Sequence, residues 1–119
     1  MIQSSPFVAA TLTGIALSLP VVAQDQGWVP MNGPQITAAL SNATVTCESA
    51  TQLFYASGRT LYSAARDSWG RWQVRGDACS SQWPPSDAWP CHRVARKGDM
   101  LRFAGSAGDL TDGHLIPAQ

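Results

Sequence analysis

The side chains of this 119-residue chain with the most chemistry to offer are three cysteines, two histidines and a set of arginines and tryptophans. Cys47, Cys79 and Cys91 allow three pairings, and a small exported domain is expected to form one disulfide and leave one thiol. Cys79 and Cys91 flank one loop at the ends of expected strands, which favours a Cys79–Cys91 bond. Closing a loop of that length is worth about 3 kcal/mol in the chain-entropy account. Cys47 is then free and reads as a small buried hydrophobe. His92 alternates with Val94 and is expected to face the core, whereas His114 follows Asp112-Gly113 in a loop. Nucleophilic catalysis would call for a strained turn of the G-x-S-x-G kind, and the chain has none. A zinc site wants closely spaced ligands, and neither H-x-x-x-H nor C-x-x-C occurs. The segment Gly108-Asp109-Leu110-Thr111-Asp112-Gly113 lacks the alternating oxygens of a calcium loop. Glu48 is the only glutamate, and no carboxylate pair for glycoside hydrolysis stands out. No catalytic residue, metal ligand or cofactor is therefore assigned, and the expected activity is non-enzymatic.

Two other groups point to binding. Trp83-Pro84-Pro85-Ser86-Asp87-Ala88-Trp89-Pro90 has two indoles and three prolines in a loop braced by the expected disulfide. Tryptophan and arginine dominate binding hot spots. If Lys97-Gly98 is a two-residue hairpin loop, Val94 faces Leu101 and Arg93 faces Arg102. Opposed like charges need a neutralising partner, either Asp67, Asp77 or Asp87 or an anionic ligand, and Arg71 and Arg75 extend that outer face. The expected binding set is Trp83, Trp89, Arg93, Arg102 and Arg71, and the expected partner is another envelope protein or an anionic glycan. The first alternative is a carrier with an apolar cavity lined by Phe54, Leu61, Trp72, Val94, Leu101 and Phe103, and the second is an enzyme that would have to use His92, Cys47 or the carboxylates. In a domain this small, the side chains of the carrier's cavity are expected to fill the interior instead.

These residues must be positioned by short elements. Asn32-Gly33-Pro34 is a helix start, and Ile36, Ala39 and Leu40 fall on one face of a helix of about two turns that ends at Ser41-Asn42. Ahead of it, Gln24 to Met31 is an extended lead-in with Trp28 as a packing plug. Strands are expected over 43–47, 51–56 and 60–64, with Gly58 at a turn that needs positive φ. Residues 69–75 alternate cleanly, placing Gly70, Trp72 and Val74 on one face and Arg71, Gln73 and Arg75 on the other. Gly76-Asp77 turns the chain into a strand over 79–83. Residues 91–96 and 100–104 form a hairpin, 105–113 a loop, and 114–116 a closing strand. Six to eight short strands at this spacing, with one N-terminal helix, make an all-β meander, either a small antiparallel barrel or a sandwich.

Residues 1–23 have the n-, h- and c-region order of a cleavable secretory signal, with cleavage expected after Ala23. The apolar run falls short of the roughly 20 residues needed to span a bilayer, and no cysteine near the junction offers a lipid anchor. That leaves 24–119 as a single domain expected in the periplasm or outside the cell, with no stable membrane anchor after cleavage. Eight basic side chains balance eight acidic ones. The balance argues against nucleic-acid binding, which needs a basic excess.

The run Ile36-Thr37-Ala38-Ala39-Leu40, the Ser57-Gly58-Arg59 turn, Trp69-Gly70-Arg71-Trp72-Gln73-Val74, the Cys79-to-Cys91 span and Lys97-Gly98-Asp99-Met100-Leu101-Arg102-Phe103 occur in that order. In this the chain resembles an uncharacterised family of small secreted, periplasmic β-rich proteins of alphaproteobacteria. The resemblance covers nearly all of the domain on short motifs. It implies a periplasmic β-domain with a Cys79–Cys91 bridge and implies no activity. His92 stands where the family would have an aromatic residue, and Cys47 is an extra cysteine.

Overall fold

Asn32 starts a helix because its side chain can accept from the chain three residues on. The computed structural model, which describes residues 26–119, bears this out in α1 (Gly33–Leu40). Asn32 Oδ1 accepts from the Gln35 N–H at 2.9 Å, and Gln35 Oε1 accepts from the Asn32 N–H at 2.8 Å. The two orphan donors are satisfied reciprocally. The Gly33 N–H donates to Asp77 Oδ1 at 2.8 Å, which ties the helix start to a turn 44 residues away. Asp77 is thereby engaged by the helix rather than by an arginine. The expected signal peptide and its cleavage point lie outside the described residues. No helix among the described residues is long and apolar enough to cross a membrane.

The alternating segments form β2 (Ala43–Thr46), β3 (Thr51–Phe54), β4 (Arg59–Ser63), β5 (Asp67–Arg75), β6 (Ala78–Gln82), β7 (Cys91–Lys97), β8 (Met100–Gly105) and β9 (Leu110–Ile116). Each pairs antiparallel with the next, and β9 pairs back onto β2. The result is a closed eight-stranded meander barrel, in which each of these strands has a neighbour on both sides. A two-residue strand, β1 (Val29–Pro30), adds to β7 where β6 has ended: Val29 opposes Arg96, whereas β6 reaches only to Arg93.

One side-chain parity per strand points inward. Ile36 and Leu40 of α1 are fully buried and share one apolar cluster with Met31, Ala43, Trp72, Val94, Leu101 and Leu115. The helix thus plugs one end of the barrel. Trp72 meets Phe54 edge to face at 5.4 Å, and its indole N–H donates to the Tyr55 carbonyl at 2.7 Å. The buried Thr60 hydroxyl donates to the Leu53 carbonyl at 2.7 Å and accepts from Gln52 Nε2 at 3.0 Å. This interior polar group is therefore satisfied.

Three expectations are corrected. The β7–β8 turn is Gly98-Asp99, not Lys97-Gly98, because the position that takes φ = +61° is the first of the loop and falls on Gly98. The register moves by two, so the inward and outward faces survive but the partners change: Val94 opposes Phe103, and Arg93 opposes Ala104. The closing strand begins at Leu110, well inside the stretch read as loop. Trp28 is no plug for the barrel. It lies half-buried with Arg102 stacked over its ring at 4.3 Å and Lys97 nearby.

Candidate functional site

With α1 in one end, the apolar side chains on the inward parity fill only half of the barrel. The other half opens as a cavity of about 770 Å³. The deep surface is apolar: Val45, Phe54 and Cys79 are at least 96% buried and belong also to the core cluster. Above them the same parity turns polar, with Gln52 of β3, Tyr62 of β4, Ser68 of β5, Ser81 of β6, His92 of β7 and Thr111 of β9. Phe103 of β8 adds an aromatic wall, and the turn from Cys47 to Ala50 forms part of the rim. A concave site of several hundred cubic ångströms with apolar walls and a few polar groups is the usual form of a small-molecule site. The expectation of a filled interior is overturned. Of the six residues expected to line such a cavity, Phe54 and Phe103 do so. Trp72, Val94 and Leu101 belong to the packed half. Leu61 faces outward, between Leu53 and Trp69.

Trp83 is brought to the cavity and Trp89 is not among its lining residues. The Trp83 ring meets Tyr62 edge-on at 6.0 Å. It lies so close to β5 that a Cβ on Gly70 would come within 2.6 Å of it. Gly70 is thus the position that lets the indole settle against the strand. Both tryptophans are half-buried, so the 83–90 loop is not a projecting blade. It is tied down internally by Ser86 N–H to the Trp83 carbonyl at 3.0 Å and at its base by Ser81 N–H to the Pro90 carbonyl at 3.2 Å.

The expected Cys79–Cys91 bridge is corrected: all three cysteines are free thiols. Register gives the reason. Cys79 opposes His92, and Cys91 opposes Ser80. The two cysteines are one register step apart, and successive residues of a strand point to opposite faces. Cys79 faces the interior, while the Cys91 thiol lies 2.7 Å from the Ser80 hydroxyl. Burial, with the Cys91 thiol as a second cause, pushes the Cys79 thiol up to about 12. Cys47 is raised as well, first by burial and then by the charge of Asp112. Both cavity thiols are thus biased toward the protonated, unreactive form.

The arginines do not form one surface. Arg102 lies across from Asp112 and forks onto it, Nε to Oδ1 at 2.8 Å and Nη2 to Oδ2 at 2.9 Å. That bidentate bond holds the Asp112 carboxyl below its ordinary range. The partner of Arg102 is thus Asp112, none of the three aspartates the sequence offered. Arg93 is exposed on β7, and Arg71 lies on β5 opposite Arg59. His92 faces the cavity as expected, with Nε2 3.9 Å from Asp109 Oδ2. His114 is exposed in β9 rather than in a loop.

Sequence reasoning passed over Gln52, Tyr62, Ser81 and Thr111. Their signal was parity. Each sits on the inward-facing set of its strand, and polar residues concentrated at one end of that set mark an end that meets water. No family model matches the chain, and no curated protein or solved structure is significantly similar to it.

Proposed function

We propose that this is a non-enzymatic binding domain that takes a small, ring-containing, mostly uncharged molecule into the open half of its barrel. The observation that carries the reading is the change in lining along one cavity, from Phe54 and Val45 at depth to Gln52, Ser81 and Thr111 nearer the opening. A ligand with an apolar body and a few hydroxyl or carbonyl groups matches that sequence of surfaces. Trp83 and Tyr62, already edge to face, offer a wall for a planar group. Binding by the Trp/Pro loop is retained in this reading, with Trp83 acting as part of the wall. The raised Cys47 and Cys79 thiols weigh against nucleophilic chemistry in the same space. An exported, periplasmic setting is part of the proposal and rests on the leader-like residues 1–23.

Ligand-observed NMR with a panel of aromatic alcohols and amides tests the reading. Saturable binding is expected, abolished by Ser81→Trp, which fills the cavity, and weakened by Trp83→Ala. If binding is undiminished in a folded Ser81→Trp protein, the cavity is not the site.

A further inference from the structure

Outside the barrel wall a second concavity, of about 410 Å³, lies between Ser57, Arg59, Trp69, Arg71 and Pro84. Register places Arg59 of β4 directly across from Arg71 of β5. Opposed like charges on neighbouring strands disfavour the pairing unless an anion lies between them. The sequence anticipated such a pair at Arg93 and Arg102, and the fold makes it here. Among the described residues the ion pairs are His92–Asp109 and Arg102–Asp112, and neither involves this pair. Arg102 has its carboxylate, and Arg96 Nε donates to the Gly98 carbonyl at 2.8 Å. Among the described residues, Arg59 and Arg71 have no comparable acceptor. Asp67, on the same outward parity, accepts from the Ser63 hydroxyl at 2.8 Å. Asp87, the carboxylate of the adjoining loop, is exposed and forms no ion pair among the described residues.

The geometry also orients one of the two charges. Arg59 lies over the Trp69 ring at 4.1 Å, and that ring is stacked on Tyr55 with centroids 6.0 Å apart and planes 26° from parallel. Stacking holds the guanidinium flat and leaves its N–H edge to an in-plane acceptor. Trp69 nonetheless stays 47% exposed, more than is usual for an indole.

We propose that this cleft binds the phosphate of a phosphomonoester, a tetrahedral dianion gripped by Arg59 and Arg71 together. Two guanidinium forks can share the three terminal oxygens of a phosphomonoester, and a dianion cancels the two charges that the register forces together. The cleft shares Trp69 and Pro84 with the cavity, but the inference stands on the outer face and does not require the cavity to be occupied.

The test is a titration with phenyl phosphate at low salt, followed through the NMR signals of the arginine Nε–H groups and the Trp69 indole. Saturating shifts at Arg59, Arg71 and Trp69 are expected. Arg59→Gln and Arg71→Gln should each weaken binding about tenfold or more, the usual loss for a hydrogen bond to a charged group. Arg93→Gln removes the same charge two strands away and should leave binding unchanged. Equal weakening by all three variants would mean diffuse attraction and would overturn the site, as would the absence of saturable shifts. A second arm, sedimentation with phosphatidate against phosphatidylcholine vesicles, separates the sources within the proposal. Capture by phosphatidate alone, lost in Arg71→Gln, assigns a lipid headgroup. Phenyl phosphate binding without vesicle capture assigns a soluble ester.

Discussion

A thiol reacts through its ionised form, and the three cysteines occupy three environments that set how often that form appears. Cys91 is exposed, Cys47 is half-buried beside Asp112, and Cys79 is buried in the barrel wall. Burial pushes the Cys79 thiol up to about 12, which keeps it protonated at pH 8. Alkylation of the native protein, followed by mass spectrometry, should therefore label Cys91 first and Cys47 more slowly. Cys79 should be labelled only on unfolding, and a denatured, non-reduced sample should count three thiols. A count of one would restore the bridge that the register argues against. The sequence could not settle this, because 12 residues of separation fix a loop length but not the parity of the strands at its ends. One residue of offset between β6 and β7 turns the two sulfurs to opposite faces.

Elements were legible where a single residue enforces a local geometry. Asn32 and Pro34 marked the start of α1, Gly58 marked a turn that takes φ = +98°, and the alternation of residues 69–75 gave the two faces of β5 directly. Partners were less legible, since they depend on which turn residue is first in its loop. At Gly98 that choice moved every β7–β8 pair by two positions while leaving each side chain on its proper face. The polar part of the cavity escaped the sequence for a related reason. Its polar lining residues are scattered over the strands and meet only when the sheet closes. The role of α1 as a plug gives a prediction at this scale. Ile36→Ala removes a fully buried side chain that seals the barrel end, and urea unfolding should show a loss of about 2–5 kcal/mol. Asn32→Ala, which removes the cap alone, should cost about 1 kcal/mol. If Ile36→Ala proves as mild as the cap variant, the helix is an appendage, not part of the core.

In the whole molecule, topology decides what is local and what is not. Around the ring of eight strands, seven contacts join neighbours in the chain and need only short loops. One does not. Thr44, Val45 and Thr46 meet Ile116, Leu115 and His114, three pairs that draw together opposite ends of the domain. Every other junction gains from a tether, whereas this one must overcome the entropy of closing a loop of about 70 residues. The barrel therefore has a zip, and the zip is the place where it should part first. In native-state hydrogen exchange, the amides of this slit should open at lower free energy than those of β4–β5, with its five pairs. If the barrel binds a ligand as proposed, a molecule too large for the mouth has a second way in, through the wall itself, at the pace of that breathing.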